Sequence, residues 1–253
     1  MNGFETIIYE KTDGIASVTL NRPQVLNRYN VKMRDELFEV LSAIQDDSDV
    51  RVVIFKGAGE RAFCVGADLT EFGTAPSPLT ARQVRWERDV WGLFASVKQP
   101  LIAAIHGYAL GSGTEIALFC DIRIASDDAV FGLPEVSLGM IPAAGGSQML
   151  PRIVGSGKAL QLLLGCDRID AQEALRIGLV NKVVKRTELL PTVYGIANVI
   201  RSCNRVAVRC AKEAVKRGLD LPLDEGLALE RRLAESLRLF DRGMSSLEAR
   251  EFV

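Results

Sequence analysis

Short apolar runs alternate with turn residues over the first 140 residues, which predicts an α/β arrangement of strands and crossover helices. Residues 6–9 and 16–20 flank the turn pair Asp13-Gly14 and predict two β-strands. Apolar side chains recur at helical spacing through residues 31–44 and predict a helix. Further strands are predicted at residues 52–55, 101–105 and 122–125, a surface segment at 73–80, and further helices at about 81–97 and 114–119.

The pattern changes after residue 145, where helical spacing dominates. Helices are predicted at about residues 146–154, 157–163, 171–177, 188–202, 205–217 and 224–240, interrupted only by a strand at 180–184. No long linker separates the two patterns. We therefore expect an α/β core over residues 1–190, followed by a helical C-terminal region over residues 191–253.

Composition places the chain among ordinary soluble globular proteins. Its 253 residues are 48% hydrophobic and 25% charged, a balance without the signature of disorder. The formal net charge of −1 argues against a non-specific polyanion binder, so nucleic acid is not expected as a partner. The basic cluster Arg82, Arg85 and Arg88 is interpreted as the solvated face of a helix.

Sequence features that mark a membrane or secreted protein are missing. No run reaches the roughly 18–20 apolar residues of a membrane-spanning helix, and the first ten residues do not resemble a secretory signal. The five cysteines are an odd number, with no close pair and no metal-ligand spacing. We expect a cytoplasmic or organelle-matrix enzyme without a metal site.

Three familiar patterns fail at particular positions. The single histidine, His106, has no nucleophile-elbow pattern to accompany it and is interpreted as structural. The turn at residues 111–113 has Ile116 where a dinucleotide fingerprint requires a third glycine. The turn at residues 155–158 has Arg152 where a phosphate loop requires its first glycine. The sequence therefore predicts no nucleotide-binding loop.

Two glycine-rich turns follow predicted strands, at residues 63–69 and 107–115. In α/β folds, ligands bind at such strand ends. Small residues let a ligand approach the backbone, and the start of a helix offers unpaired N–H donors. Two such donors that converge on one oxygen would stabilise an oxyanion.

Two carboxylates accompany these turns. Glu115 lies three residues after Ser112, in the first turn of a predicted helix, and Glu135 follows Pro134 in a loop. Two carboxyl groups near an apolar pocket can serve as base and acid. Taken singly, a glutamate at position 115 is more often a helix-capping residue, and one at position 135 is more often a solvated loop residue.

Six segments together resemble the crotonase, or enoyl-CoA hydratase/isomerase, family. They are FCVGADL (63–69), IAAIHGYALGSGTE (102–115), CDIRIAS (120–126), FGLPEVSLGMIP (131–142), GGSQMLPRIVG (145–155) and RIDAQEALRIGLV (168–180). The resemblance runs from about residue 15 to 240 in the order of the family. It implies an α/β spiral of ββα units, with the C-terminal helical region serving in assembly as a homotrimer or a dimer of trimers.

The resemblance also implies roles for single residues. Glu115 and Glu135 occupy the two acid/base positions of the hydratases, and the backbone N–H groups of Ala67 and Ser112 occupy the oxyanion-hole positions. Residues assigned to the acyl-CoA substrate are Leu26, Arg28, Cys64, Gly66, Asp68, Leu69, Leu110, Gly111 and Pro134. Coenzyme A enters as part of the substrate, and no further cofactor is implied.

The chain departs from the family pattern around the site. Asn27-Arg28-Tyr29 stands where hydratases have Asn-Ala-Leu, and Thr70 replaces a usual lysine. Ser112 and Ala143 replace common glycines. These differences bear on phosphate contacts and on the choice of acyl group.

The resemblance favours an enoyl-CoA hydratase that adds water across the 2,3 double bond of an α,β-unsaturated acyl-CoA. An enoyl-CoA double-bond isomerase of the same fold is the nearest alternative, since it could use Glu135 alone. A non-catalytic or RNA-contacting scaffold is a third, because a fold does not fix a function. The presence of both glutamates speaks against the scaffold.

Overall fold

Two β-sheets carry the fold of the protein. The computed structural model describes the backbone of residues 3–248 and the side chains of residues 3–238. The strands are β1 (Ile7–Thr12), β2 (Ile15–Leu20), β3 (Val52–Gly57), β4 (Ala62–Cys64), β5 (Leu101–Ile105), β6 (Tyr108–Leu110), β7 (Ile122–Ser126), β8 (Val130–Gly132), β9 (Arg168–Asp170) and β10 (Lys182–Val184). The larger sheet has the order β1-β2-β3-β5-β7-β10 and the smaller one β4-β6-β8-β9.

Successive strands from β3 to β8 alternate between the two sheets. Each of the consecutive pairs β3/β4, β5/β6 and β7/β8 contributes its first strand to the larger sheet and its second to the smaller one. Neighbouring strands pair in parallel except β1 with β2 and β8 with β9. This repeated ββα connection confirms the expected crotonase-like α/β spiral.

Helices connect and cover the strands. They are α1 (Val31–Asp46), α2 (Pro78–Glu87), α3 (Val90–Ser96), α4 (Ser112–Phe119), α5 (Gly146–Val154), α6 (Ser156–Gly165), α7 (Ala171–Arg176), α8 (Leu189–Ser202), α9 (Arg205–Gly218) and α10 (Leu223–Glu248). In α1 the apolar stripe predicted from the spacing is buried, as shown by Met33, Leu37 and Leu41. The Asn30 side chain begins this helix by accepting a hydrogen bond from the Met33 N–H.

The chain divides into two compact units, the first ending at Asn198 and the second beginning at Val199. The boundary falls within α8. The first unit contains both sheets, and the second contains α9 and α10, which pack against each other. Between residues 3 and 248, no helix is long and apolar enough to cross a membrane.

The prediction of one helix over residues 81–97 was wrong, because two helices occupy this segment. The Asp89 side chain accepts a hydrogen bond from the Gly92 N–H and starts α3 anew. Such a local side-chain bond competes with continuation of the preceding helix. The surface segment assigned to residues 73–80 also ends earlier, since α2 begins at Pro78 behind the cap Ser77.

The prediction that residues 180–184 form the only strand after residue 145 was also wrong. Strand β9 at Arg168–Asp170 pairs antiparallel with β8 and closes the edge of the smaller sheet. The strands of that sheet are only three residues long, which is too short to show an alternating pattern.

One buried carboxylate ties the N-terminal segment to α1. Glu36 is 4% exposed and accepts hydrogen bonds from the Glu5 N–H at 2.8 Å, the Thr6 N–H at 2.9 Å and the Thr6 hydroxyl at 2.6 Å. Burial alone would raise the pKa of Glu36, but these bonds hold the pKa below its ordinary value. The ionised form is therefore the one that stabilises the fold.

We expect Glu36→Gln to lower the free energy of unfolding at pH 7 by about 1–3 kcal/mol, because the amide cannot accept all three bonds. A carboxyl group whose pKa is lowered on folding stabilises the protein at pH values above its unfolded-state pKa. This stabilisation is lost as the pH falls through its folded-state pKa. The difference between wild type and variant should therefore shrink from pH 6 to pH 3 in urea titrations. The exposed Glu39→Gln on the same helix is the control, and an equal effect there would contradict the assignment.

Candidate active site

Two glycine turns meet where neighbouring strands of the smaller sheet end. Strands β4 and β6 run parallel, so the chain leaves both at the same edge. Gly66 has φ +95°, and a Cβ built on it would lie 3.0 Å from the Leu110 carbonyl oxygen. A Cβ on Gly113 would lie 2.1 Å from the Cys64 carbonyl oxygen. The turns are in backbone contact, and only glycine permits this approach.

Each turn presents an unused backbone donor. Tyr29 N–H donates to the Gly66 carbonyl and Asp68 N–H donates to the Tyr29 carbonyl, which leaves the Ala67 N–H outside the ladder. Ser112 is the first residue of α4, where an N–H has no acceptor within the helix. Neither N–H has a hydrogen-bond partner among residues 3–238. Both of the donors predicted from the sequence are therefore free to bind an anionic oxygen.

Glu115 lies one turn into α4 and is buried, with 2% exposure. Its Oε1 atom accepts hydrogen bonds of 2.9 Å from the Ala144 N–H and the Gly146 N–H. Burial raises the pKa of Glu115 to about 7, with the Glu135 carboxylate adding to the rise while the two N–H donors oppose it. A carboxyl group that titrates near neutral pH can both accept and donate a proton.

Glu135 approaches the Gly111 turn that precedes α4. It lies in the 3₁₀ helix Pro134–Leu138, and its Oε1 atom would be 2.9 Å from a Cβ on Gly111. Its Oε2 atom is buried and has no hydrogen-bond partner within the described residues. Burial raises the pKa of Glu135 as well. Glu135 therefore lies near the turn that leads into α4, and its charge acts on Glu115.

Residues assigned to the substrate lie around these turns in different ways. Leu26 adopts the left-handed conformation with φ 57°, and its carbonyl accepts from the Val65 N–H. Arg28 is exposed, and Leu69 is 49% exposed. Leu110 is 8% exposed and ends β6, next to Gly111.

Two of the assigned side chains support the backbone. The Asp68 carboxylate accepts from Thr70 and lies 3.1 Å from the Arg22 guanidinium, which holds the turn after Ala67. Cys64 is fully buried, and burial raises the pKa of its thiol to about 12. These two side chains are occupied inside the protein, so they would act on a substrate only through the backbone they position.

Sequence reasoning missed several groups that shape the site. The Ala144 and Gly146 donors are backbone groups, for which the Gly145-Gly146 pair was the only signal. Asn27 is fully buried, and its side-chain amide donates to the Ala58 and Ala62 carbonyls. Arg22 was missed as well, although it lies in the same short segment as Asn27.

His106 lies just before β6, at the opposite end of that strand from Gly111. It is 5% exposed, and burial lowers the pKa of its imidazole to about 4, so the ring is neutral at pH 7. Across the described residues, no group of three potential ligands could hold a metal ion.

These features define an α/β enzyme class in which free backbone donors and two carboxyl groups surround one small region. The chain belongs to the enoyl-CoA hydratase/isomerase family, whose model matches residues 10–252. It is 46% identical to the short-chain-enoyl-CoA hydratase of Clostridium acetobutylicum, over 88% of this chain and 86% of that protein. It is 43% identical to the crotonyl-CoA hydratase of Syntrophomonas wolfei, over 90% of this chain and 87% of that one.

Solved structures agree with this family. An enoyl-CoA hydratase from Bacillus anthracis matches with a TM-score of 0.89 and 39% identity, over 97% of this chain and 95% of that chain. A structure titled as an enoyl-CoA hydratase subunit from Geobacillus kaustophilus matches with a TM-score of 0.87 and 36% identity, over 98% and 97% of the two chains. The fold predicted from the sequence resemblance is confirmed.

If Ser112 acts through its N–H, its side chain should be dispensable. We expect Ser112→Gly to keep turnover of a 2-enoyl-CoA within a few-fold of wild type. Ser112→Pro removes the N–H and should lower turnover by about 10²–10³-fold, the scale of one lost oxyanion donor. Steady-state kinetics on both variants measure the contrast.

Circular dichroism accompanies these kinetics, because proline at the start of α4 can also disturb the helix. Loss of turnover in a folded Ser112→Gly protein would show that the hydroxyl itself is catalytic, contrary to this assignment.

Proposed function

We propose that the protein is an enoyl-CoA hydratase that adds water reversibly across the 2,3 double bond of a short-chain acyl-CoA. The observation that carries the proposal is the pair Glu115 and Glu135, two carboxyl groups with raised pKa near the turn that leads into the free Ser112 donor. The names of the two curated relatives, a short-chain and a crotonyl-CoA hydratase, support the substrate class.

Activation of the thioester falls to the backbone. The thioester carbonyl oxygen binds the Ala67 and Ser112 N–H groups, which draw electron density away from the double bond. Attack at C3 then places negative charge on this oxygen as an enolate. Donors that are already fixed by the backbone stabilise that charge without reorganisation.

Proton transfer falls to the two glutamates. Glu115 accepts a proton from water as the water oxygen bonds to C3, and Glu135 donates a proton to C2 as the enolate collapses. The Ala144 and Gly146 donors fix one Glu115 oxygen, which aims the carboxylate and keeps part of its population ionised at neutral pH. Burial raises the pKa of Glu135, which favours its protonated form relative to an exposed glutamate.

Coenzyme A is proposed to be the part of the substrate through which the protein binds the acyl group, with no additional cofactor. The exposed Arg28 side chain offers a cation to its phosphates, and the exposed Leu69 side chain offers an apolar contact to the pantetheine arm. Both residues lie within three positions of the Tyr29–Ala67 bridge, beside the thioester. We also assign the enzyme to the cytoplasm, on the odd number and wide spacing of its cysteines in the sequence.

A double-bond isomerase is the competing function. It needs only one group to relocate a proton, so it has no use for a second buried carboxyl group. The anchoring of Glu115 by two N–H donors therefore favours hydration. Absorbance separates the two reactions, because hydration of a 2-enoyl-CoA abolishes the conjugated enoyl band whereas isomerisation of a 3-enoyl-CoA creates it.

We expect Glu115→Gln and Glu135→Gln each to lower the turnover of crotonyl-CoA by roughly 10²-fold or more, because neither amide transfers protons at neutral pH. KM should change much less, since both amides keep the shape of the pocket. The exposed Glu87→Gln is the matched control and should retain wild-type turnover. Turnover within a few-fold of wild type for either site variant would overturn the two-glutamate mechanism.

We also propose that the protein assembles as a homotrimer or a dimer of trimers through its helical C-terminal region. Support comes from large apolar side chains that are exposed in the second unit, among them Val199, Val215, Leu219 and Leu223 at 64–79%. Exposed apolar surface of this kind marks interaction sites.

Light scattering at micromolar concentration should give a mass close to three or six times the 27.6 kDa of the chain. A stable species of 27.6 kDa would contradict the assembly.

A further inference from the structure

Tyr29 lies beside the position proposed for the thioester carbonyl. Its N–H and carbonyl form the bridge that brackets Ala67, through Gly66 and Asp68. Neighbouring backbones in such a bridge are about 4.8 Å apart. The Tyr29 side chain therefore begins next to the oxyanion position, and it is a departure from the leucine of the family pattern.

Aromatic rings continue from Tyr29 towards Glu115. The Tyr29 ring lies 5.5 Å from Trp91, and Trp91 lies 5.9 Å from Phe119, centroid to centroid. Phe119 then packs under Gly145, where an added Cβ would lie 2.6 Å from its Cζ atom. The next residue after Gly145 donates to Glu115. We call the rings of Tyr29, Trp91 and Phe119 the aromatic wall.

The aromatic wall joins the two halves of the proposed site. Its first ring starts at the Ala67 turn and its last ring supports the loop that holds Glu115. The proposed function places the acyl group between Ala67 and Glu115, and these rings join the same two positions. Because each ring packs against the next, the position of the Tyr29 ring is fixed.

The Tyr29 hydroxyl sits unpaired in this wall. Its oxygen is buried and has no hydrogen-bond partner among the described residues. A buried tyrosine hydroxyl ordinarily finds a partner, and leaving one unpaired costs about 1–3 kcal/mol. A leucine or phenylalanine would complete an apolar wall without that cost. The unpaired hydroxyl therefore suggests a hydrogen-bond partner that is part of the ligand.

We propose that Tyr29 determines acyl specificity: its hydroxyl donates a hydrogen bond to an oxygen atom carried by the acyl chain beyond C3. The protein would then prefer short acyl-CoA thioesters with a carbonyl or hydroxyl oxygen over hydrocarbon chains of equal length. This inference rests on the proposed function, which places the acyl group along the aromatic wall. A pocket built to hydrogen-bond its ligand discriminates against the analogue that lacks the polar atom.

Saturated thioesters test the inference without any turnover, because they have no double bond to hydrate. Isothermal titration calorimetry compares 4-oxopentanoyl-CoA with pentanoyl-CoA, which have the same chain length, on wild type and on Tyr29→Phe. Wild type should bind the oxo compound about tenfold more tightly, the size of one net hydrogen bond. Tyr29→Phe should bind the two thioesters within threefold of each other, with pentanoyl-CoA bound no more weakly than by wild type.

Tyr108→Phe is the matched control, since Tyr108 is 41% exposed at the end of β6 away from Gly111, and it should keep the wild-type preference. An unchanged preference in Tyr29→Phe would overturn the inference, and so would equal affinities in wild type. If the Tyr29 hydroxyl instead binds the oxygen added at C3, Tyr29→Phe should bind 3-hydroxybutyryl-CoA more weakly while keeping the preference for 4-oxopentanoyl-CoA. That result would also overturn the specificity inference.

The proposed function fails in a different way. If wild type binds none of these thioesters and does not hydrate crotonyl-CoA, both proposals are overturned. If wild type binds them all alike and hydrates crotonyl-CoA, the hydratase stands and only the specificity inference is lost.

Discussion

The backbone contact between the Gly66 and Gly111 turns is the constraint on which the remainder of the site depends. It exists because β4 and β6 are parallel neighbours that end together, and because glycine lets one turn touch the carbonyl at the end of the other strand. The contact sets two N–H donors side by side without using any side chain. The side chains in the site are therefore available for proton transfer and for the choice of ligand.

Burial acts on the two glutamates in the same direction but with different compensation. Glu115 is enclosed and would be driven strongly towards its neutral form if the Ala144 and Gly146 donors did not stabilise its charge. Glu135 is less enclosed, and one of its oxygens has no partner within the described residues. Two chemically equal groups thus meet different combinations of burial and backbone donors.

The sequence predicted the features that depend on short local segments, and it did not predict those that depend on contacts between distant segments. Glu115, Ser112 and the strands of the larger sheet followed from short patterns of glycine, carboxylate and apolar residues. The three-residue strands of the smaller sheet carry no readable alternation, and Asp89 interrupts a helix by a single side-chain bond. The unpaired hydroxyl of Tyr29 could not be predicted from the sequence, since its surroundings are formed by four separate segments.

The anchoring of Glu115 also has a consequence for the order of events in synthesis. Both N–H groups that hold its carboxylate come from residues 29 and 31 positions further along the chain, at the entry to α5. Until that segment has been synthesised, Glu115 lacks the two backbone N–H groups that stabilise its charge in the folded protein. The groups that hold Glu115 in place are therefore synthesised after both glycine turns, and the arrangement around this carboxylate is completed only when residues 144–146 join it.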